Sequence, residues 1–184
     1  MNATQLKTLT LCGLSLLSSS CAMIDDPQYQ SDATRLKHGN YVNGKDKFQP
    51  SNYCFLTSRD NGVVVSSFDS KPFFVEWTQG SKVQKVASPI RLAGNTGWSD
   101  FVVSPGPHSL TVKFEALQSS GIVGAVLGIN EVRETIDTEA SLEFTAESGH
   151  TYLIKANLGT DPKTKSRTWH PEIQDFPPKQ ELPK

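Results

Sequence analysis

The segment 101–114, which carries Phe101, Val102 and Val103, the turn Pro105-Gly106 and the run from Leu110 to Phe114, constrains this chain more than any other. Leu110, Val112 and Phe114 alternate with Thr111 and Lys113, which sends one face of a strand into a core and the other toward water. Pro105-Gly106 suits the centre of a type II turn, proline setting φ and glycine accepting a positive φ. Residues 142–146 repeat the alternation, and Ser148-Gly149-His150 turns the chain into the apolar run 151–156. Further β-type runs lie at 53–57, 63–68, 73–78 and 98–103. The turn signals between them are Arg59-Asp60-Asn61-Gly62, Asp69-Ser70-Lys71-Pro72 and Gly94-Asn95-Thr96-Gly97. Residues 79–88, polar around Val83 and Val86, read as a loop or an edge strand, and a last run at 167–170 leads into Pro171. About seven or eight short strands, spaced by roughly 8–12 residues with no long helical period between them, predict an all-β fold. The expected form is a single antiparallel β-sandwich over residues 51–175.

The N-terminus has a different texture. A weakly basic start ending at Lys7 precedes an apolar run at 9–17, then Ser18, Ser19, Ser20 and Cys21. This run of nine residues is too short to span a bilayer, which takes about twenty, so it reads as the core of a secretory signal. Ser19-Ser20-Cys21 resembles the end of a bacterial lipoprotein signal peptide, with Ser18 in the position where that family usually carries Leu. The resemblance implies removal of residues 1–20, lipidation of Cys21 and a membrane anchor through the acyl chains. Ordinary signal cleavage near Ser20 or Ala22 is the rival reading. In such lipoproteins an aspartate after the cysteine favours the inner membrane. Ala22 stands there in this chain, which implies a cell-envelope, outer-membrane, periplasm-facing location. Residues 21–50 are polar and without sustained period, so they read as the lipidated N-terminus and a flexible tether averaging about 30 Å as a coil. A short helix over 31–37 would shorten it. Residues 176–184, rich in proline, read as a disordered tail.

The pattern Pro105-Gly106-x-His108, Gly149-His150-x-Tyr152 and Trp169-x-Pro171-x-Ile173-x-Asp175 resembles a group of small bacterial lipoproteins. That resemblance covers roughly residues 50–175. It implies a transthyretin-like or immunoglobulin-like sandwich and no particular activity.

Composition and motifs exclude more than they assign. Without residues 1–20 the chain carries 17 basic and 19 acidic side chains, which offers nucleic acid no global attraction. Cys54 is then the one thiol left unmodified, so no intramolecular disulfide is available, and its apolar setting predicts an inert, buried residue. The histidines at 38, 108, 150 and 170 have no zinc-like spacing to one another or to cysteines, so no metal site and no cofactor are expected. His108 and His150 each follow a glycine-bearing turn and are expected to hold it. There is no Gly-x-Ser-x-Gly elbow and no phosphate loop, which predicts a non-enzymatic protein without catalytic residues. Trp77, Trp98 and Trp169 suit either a core or an aromatic platform for a glycan.

One stretch departs from the β pattern. Gly121, Ile122, Val123, Gly124, Ala125, Val126, Leu127, Gly128 and Ile129 form an apolar, glycine-punctuated segment on a long connection. It reads as a glycine-rich strand or loop folded against the domain, or as an exposed loop that docks on a partner or dips into lipid. The leading expectation is a membrane-anchored envelope lipoprotein whose sandwich binds another envelope protein, through this loop or an open sheet edge. Alternatives are a small-ligand or glycan-binding lipoprotein and a secretion-system accessory lipoprotein.

Overall fold

The computed structural model describes residues 27–28, 30–49, 51–58, 62–79, 81–92, 100–119 and 130–179. Within them the chain is almost entirely β. A short helix α1 (Asp32–His38) comes first, then β1 (Asn40–Val42), a 3-10 turn (Lys45–Lys47), β2 (Cys54–Ser58) and β3 (Val63–Phe68). The chain continues through β4 (Phe74–Gln79), β5 (Lys82–Ala87), β6 (Ile90–Arg91) and β7 (Phe101–Val103). Four long strands complete it: β8 (Gly106–Ser119), β9 (Asn130–Ala146), β10 (Thr151–Thr160) and β11 (Arg167–Phe176).

The strands form two sheets. Seven strands run in the order β11-β10-β2-β7-β1-β4-β5, and four in the order β6-β3-β8-β9. One hydrophobic cluster joins them: Val42, Cys54, Leu56, Phe101 and Val103 from the larger sheet meet Val63, Val65, Val112 and Phe114 from the smaller. The alternation expected at 110–114 is realised, with Leu110, Val112 and Phe114 buried.

Three expectations are corrected. The described residues hold eleven strands, more than seven or eight, because β1, β5 and β6 are too short or too polar to show a period. The larger sheet is mixed rather than antiparallel, since β1 pairs parallel with β7 and β2 pairs parallel with β10. The stretch read as a tether is largely part of the fold. β1 inserts between β7 and β4 and buries Tyr41 and Val42, so residues 31–49 belong to the domain.

α1 covers the outer face of the larger sheet. Ser31 caps it, its hydroxyl accepting from the Thr34 amide, and Asp32 and Lys37 sit where the helix dipole favours each charge. β2 and β7 are buried on both faces: Cys54 and Leu56 point into the core, while Phe55 and Val102 point outward beneath the helix. Gly39 makes the close approach possible, because a Cβ there would lie 2.5 Å from Val102 Cγ2 and 2.8 Å from the Arg35 carbonyl.

Arg35 pins the helix down. Only 2 % exposed, it donates from Nε to Asp100 Oδ2 at 2.6 Å and from Nη1 to Thr151 Oγ1 at 2.8 Å. Its guanidinium carbon lies 3.7 Å from the centroid of the Phe55 ring. The chain ends are tied nearby. Gln28 Nε2 donates to the carbonyls of Phe176 and Pro177, and Lys179 Nζ donates to the Gln28 carbonyl. The tail expected to be disordered from 176 therefore begins with a strand residue, and Pro177 and Lys179 are bonded to Gln28.

Candidate functional site

Cys21 and the run from Gly121 to Ile129 lie outside the described residues, as does Trp98. β8 and β9 remain paired as far as Ser119 opposite Asn130, so the apolar run joins the two strands of one hairpin. The connection between those strands is shorter than the sequence suggested.

The two strand-opening histidines share one end of the domain without sharing a site. His108 Nδ1 lies 3.1 Å from Asp69 Oδ1, and its Nε2 lies 2.7 Å from the Ser104 carbonyl oxygen. His150 Nδ1 lies 2.8 Å from Asp175 Oδ1. Phe144 and Tyr152 stand between them, Phe144 against His108 and Tyr152 stacked on His150. Each histidine fastens a turn to a neighbouring strand. Asp69, His108 and the nearby Ser70 and Ser109 hold the elements of a nucleophilic trio, but neither His108 nitrogen faces a hydroxyl. Nucleophile and base are therefore not in register. Among the described residues, no group of three or more His, Cys, Asp or Glu side chains is placed to hold a metal ion.

The described tryptophans serve the core. Trp169 is buried and its Nε1 donates to the Thr138 carbonyl at 2.8 Å, while Trp77 packs against the main cluster. Neither offers the flat exposed platform that a glycan would stack on. Cys54 is fully buried, as its apolar run predicts, and burial pushes its thiol up to about 12.

Sheet edges differ sharply in access. β11 and β9, the edges at one side of the two sheets, lie against each other, with the Trp169 hydrogen bond crossing between them. β6 is two residues long. β5 ends the larger sheet, and all six of its residues are exposed, Val83 at 58 % and Val86 at 41 %. Its inner side pairs with β4 from Phe74–Ala87 to Gln79–Lys82. Lys85 reaches back to Glu76 at 3.3 Å and sits 5.0 Å from the Phe74 ring centroid.

A second concave feature lies between α1 and the 3-10 turn. Leu36, Tyr41, Phe48 and Tyr53 wall a cavity of about 270 Å³ with Lys37 and Lys45 beside it. Tyr41 and Phe48 meet edge to face at 5.3 Å between centroids, and Lys45 Nζ lies 5.2 Å from the Tyr41 ring centroid. Both phenols are spoken for: Tyr41 donates to the Leu36 carbonyl at 2.6 Å and Tyr53 to Asp32 Oδ2 at 2.9 Å. Burial raises the Tyr41 hydroxyl. Burial and the Asp32 hydrogen bond push that of Tyr53 up to about 12. Sequence reasoning missed this cavity because its lining residues other than Tyr53 fall inside the supposed tether. The aromatic residues Tyr41 and Phe48 in an otherwise polar stretch were the available signal.

Comparison of the chain with protein-family models, with curated proteins and with solved structures finds no match.

Proposed function

We propose that this chain is a non-catalytic, lipid-anchored envelope protein whose β-sandwich binds another envelope protein by accepting an extended segment alongside β5. The open edge carries the reading. A six-residue strand at the end of a sheet presents unpaired backbone groups, and among the described edges it is the one left both long and uncovered. Lys82 and Lys85 discourage pairing with a second copy of the same edge and favour an acidic segment. The apolar run 121–129 is a second contact surface in this reading, carried by its composition. An immunoglobulin-like form of the sandwich is supported by Tyr152. Near the start of its strand, this residue accepts from the Glu147 amide at 2.9 Å and donates to the Thr145 carbonyl at 3.1 Å, in the manner of a tyrosine corner.

Photo-crosslinking in intact cells tests the interface. A photoreactive residue at Gln84 should trap an envelope protein, and Lys82→Glu with Val83→Asp should reduce the yield at least tenfold. If Gln84 traps nothing while deletion of 121–129 abolishes capture, the interface lies at the hairpin and not at β5.

The anchor is a separate claim resting on Ser19-Ser20-Cys21. Cys21→Ser is expected to move the protein from the outer-membrane fraction to the soluble envelope fraction, because stable attachment requires the acyl chains. Unchanged tight membrane association of that variant would refute lipidation as the anchor.

A further inference from the structure

The cavity beneath α1 has a composition that selects a ligand. Its walls are the apolar side chain of Leu36 and the rings of Tyr41, Phe48 and Tyr53. The tyrosine hydroxyls are already committed, Tyr41 to the Leu36 carbonyl and Tyr53 to Asp32, so these residues offer rings rather than hydrogen bonds. Charged recognition at the cavity falls to Lys37 and Lys45, and no carboxylate is among its lining residues. Asp32, the nearest acid on α1, is occupied by Tyr53 and lies 4.0 Å from Arg35. Asp46 points its Oδ1 toward Gly44. An apolar pocket with two lysines in its lining fits a molecule with an apolar body and an anionic head. Size narrows the class further. A dry cavity of about 150 Å³ accepts benzene, so about 270 Å³ suits one ring or a short alkyl chain with its head group.

We propose that this cavity binds small anionic amphiphiles, carboxylates on an aryl or short alkyl body. The body stacks among Tyr41, Phe48 and Tyr53, and the carboxylate pairs with Lys37 and Lys45. The lining residues are distinct from those of β5, and β4 separates that strand from β1.

The test uses the chain from residue 22 onward with 3-phenylpropionate, octanoate, 3-phenylpropanol and 3-phenylpropylamine, read by NMR shifts of the Tyr41, Phe48 and Tyr53 rings. The two carboxylates are expected to shift these rings saturably. The alcohol should bind at least tenfold more weakly and the amine not at all. Lys37→Gln combined with Lys45→Gln should weaken carboxylate binding about tenfold in a chain that still folds, with the thermal midpoint lowered only by the loss of the helix-dipole and Tyr41 ring contacts of the two ammonium groups. Ala33→Leu, which adds bulk to a lining position, should abolish it. Equal binding of acid and alcohol, retained affinity in the double lysine variant, or no saturable shift with any compound would each overturn the proposal.

Discussion

Arg35→Ala should destabilise the protein by about 3–5 kcal/mol, the loss expected when one partner of a buried ion pair is removed. The magnitude comes from what is stranded. Asp100, 15 % exposed, loses the donor at 2.6 Å, Thr151 loses its buried partner, and Phe55 loses the cation stacked on it. Urea denaturation of the chain from residue 22 onward measures this, and a loss below about 1 kcal/mol would show that α1 is not held through Arg35. Asp100→Asn provides the complementary arm. The asparagine retains an oxygen acceptor but no charge, so a smaller loss is expected. The double variant should cost less than the sum of the two single variants, as coupled sites require. Arg35 Nη2 has no hydrogen-bond partner among the described residues, so the interaction is geometrically good at two nitrogens and not at the third.

The Cys54 thiol should react with a disulfide reagent about a thousandfold more slowly in the folded chain than in urea at pH 8. Its thiol is pushed from 9.0 to about 12 by burial, and the thiolate is the reactive form. Reaction at the rate of a free thiol would show an open site. The same shift has a consequence for stability. The folded state favours the neutral thiol, so its contribution is complete below about pH 9 and is lost as pH rises toward 12. Tyr53, raised from 10.0 to about 12, acts in the same direction over the upper part of that window. Thermal midpoints are therefore expected to be level from pH 7 to about 9 and to fall above it. A Cys54→Ala variant should show a shallower fall.

What could be read from residues alone follows from where burial is one-sided. Leu110, Val112 and Phe114 face a core across from Thr111 and Lys113, and such alternation is visible without a structure. β2 is buried on both faces, so it reads as a continuous apolar run and is equally visible. β1 is not. Its three residues Asn40, Tyr41 and Val42 are too few to show a period, and their burial comes from neighbours distant in sequence. Arg35 defeats composition more directly, because a charged residue in a polar stretch reads as solvated unless its partners Asp100 and Thr151 are known. The cavity shares that origin: Leu36, Tyr41, Phe48 and Tyr53 converge only after α1 folds back over β2 and β7. The histidines were legible in kind, since each follows a turn and His108 holds a backbone carbonyl, but their carboxylate partners were not.

The bonds that tie Gln28 to Phe176 and Pro177 set a limit on reach. If the acyl chains sit at Cys21, six residues lie between it and Gln28, and seven extended steps of chain cover no more than about 25 Å. A free tether running to residue 50 would cover several times that distance. With such an anchor the domain would be confined to a thin layer beside the bilayer. Under the proposed anchoring, encounters with a partner would be confined to that layer too, and an acidic segment that reached β5 would itself have to come close to the membrane surface.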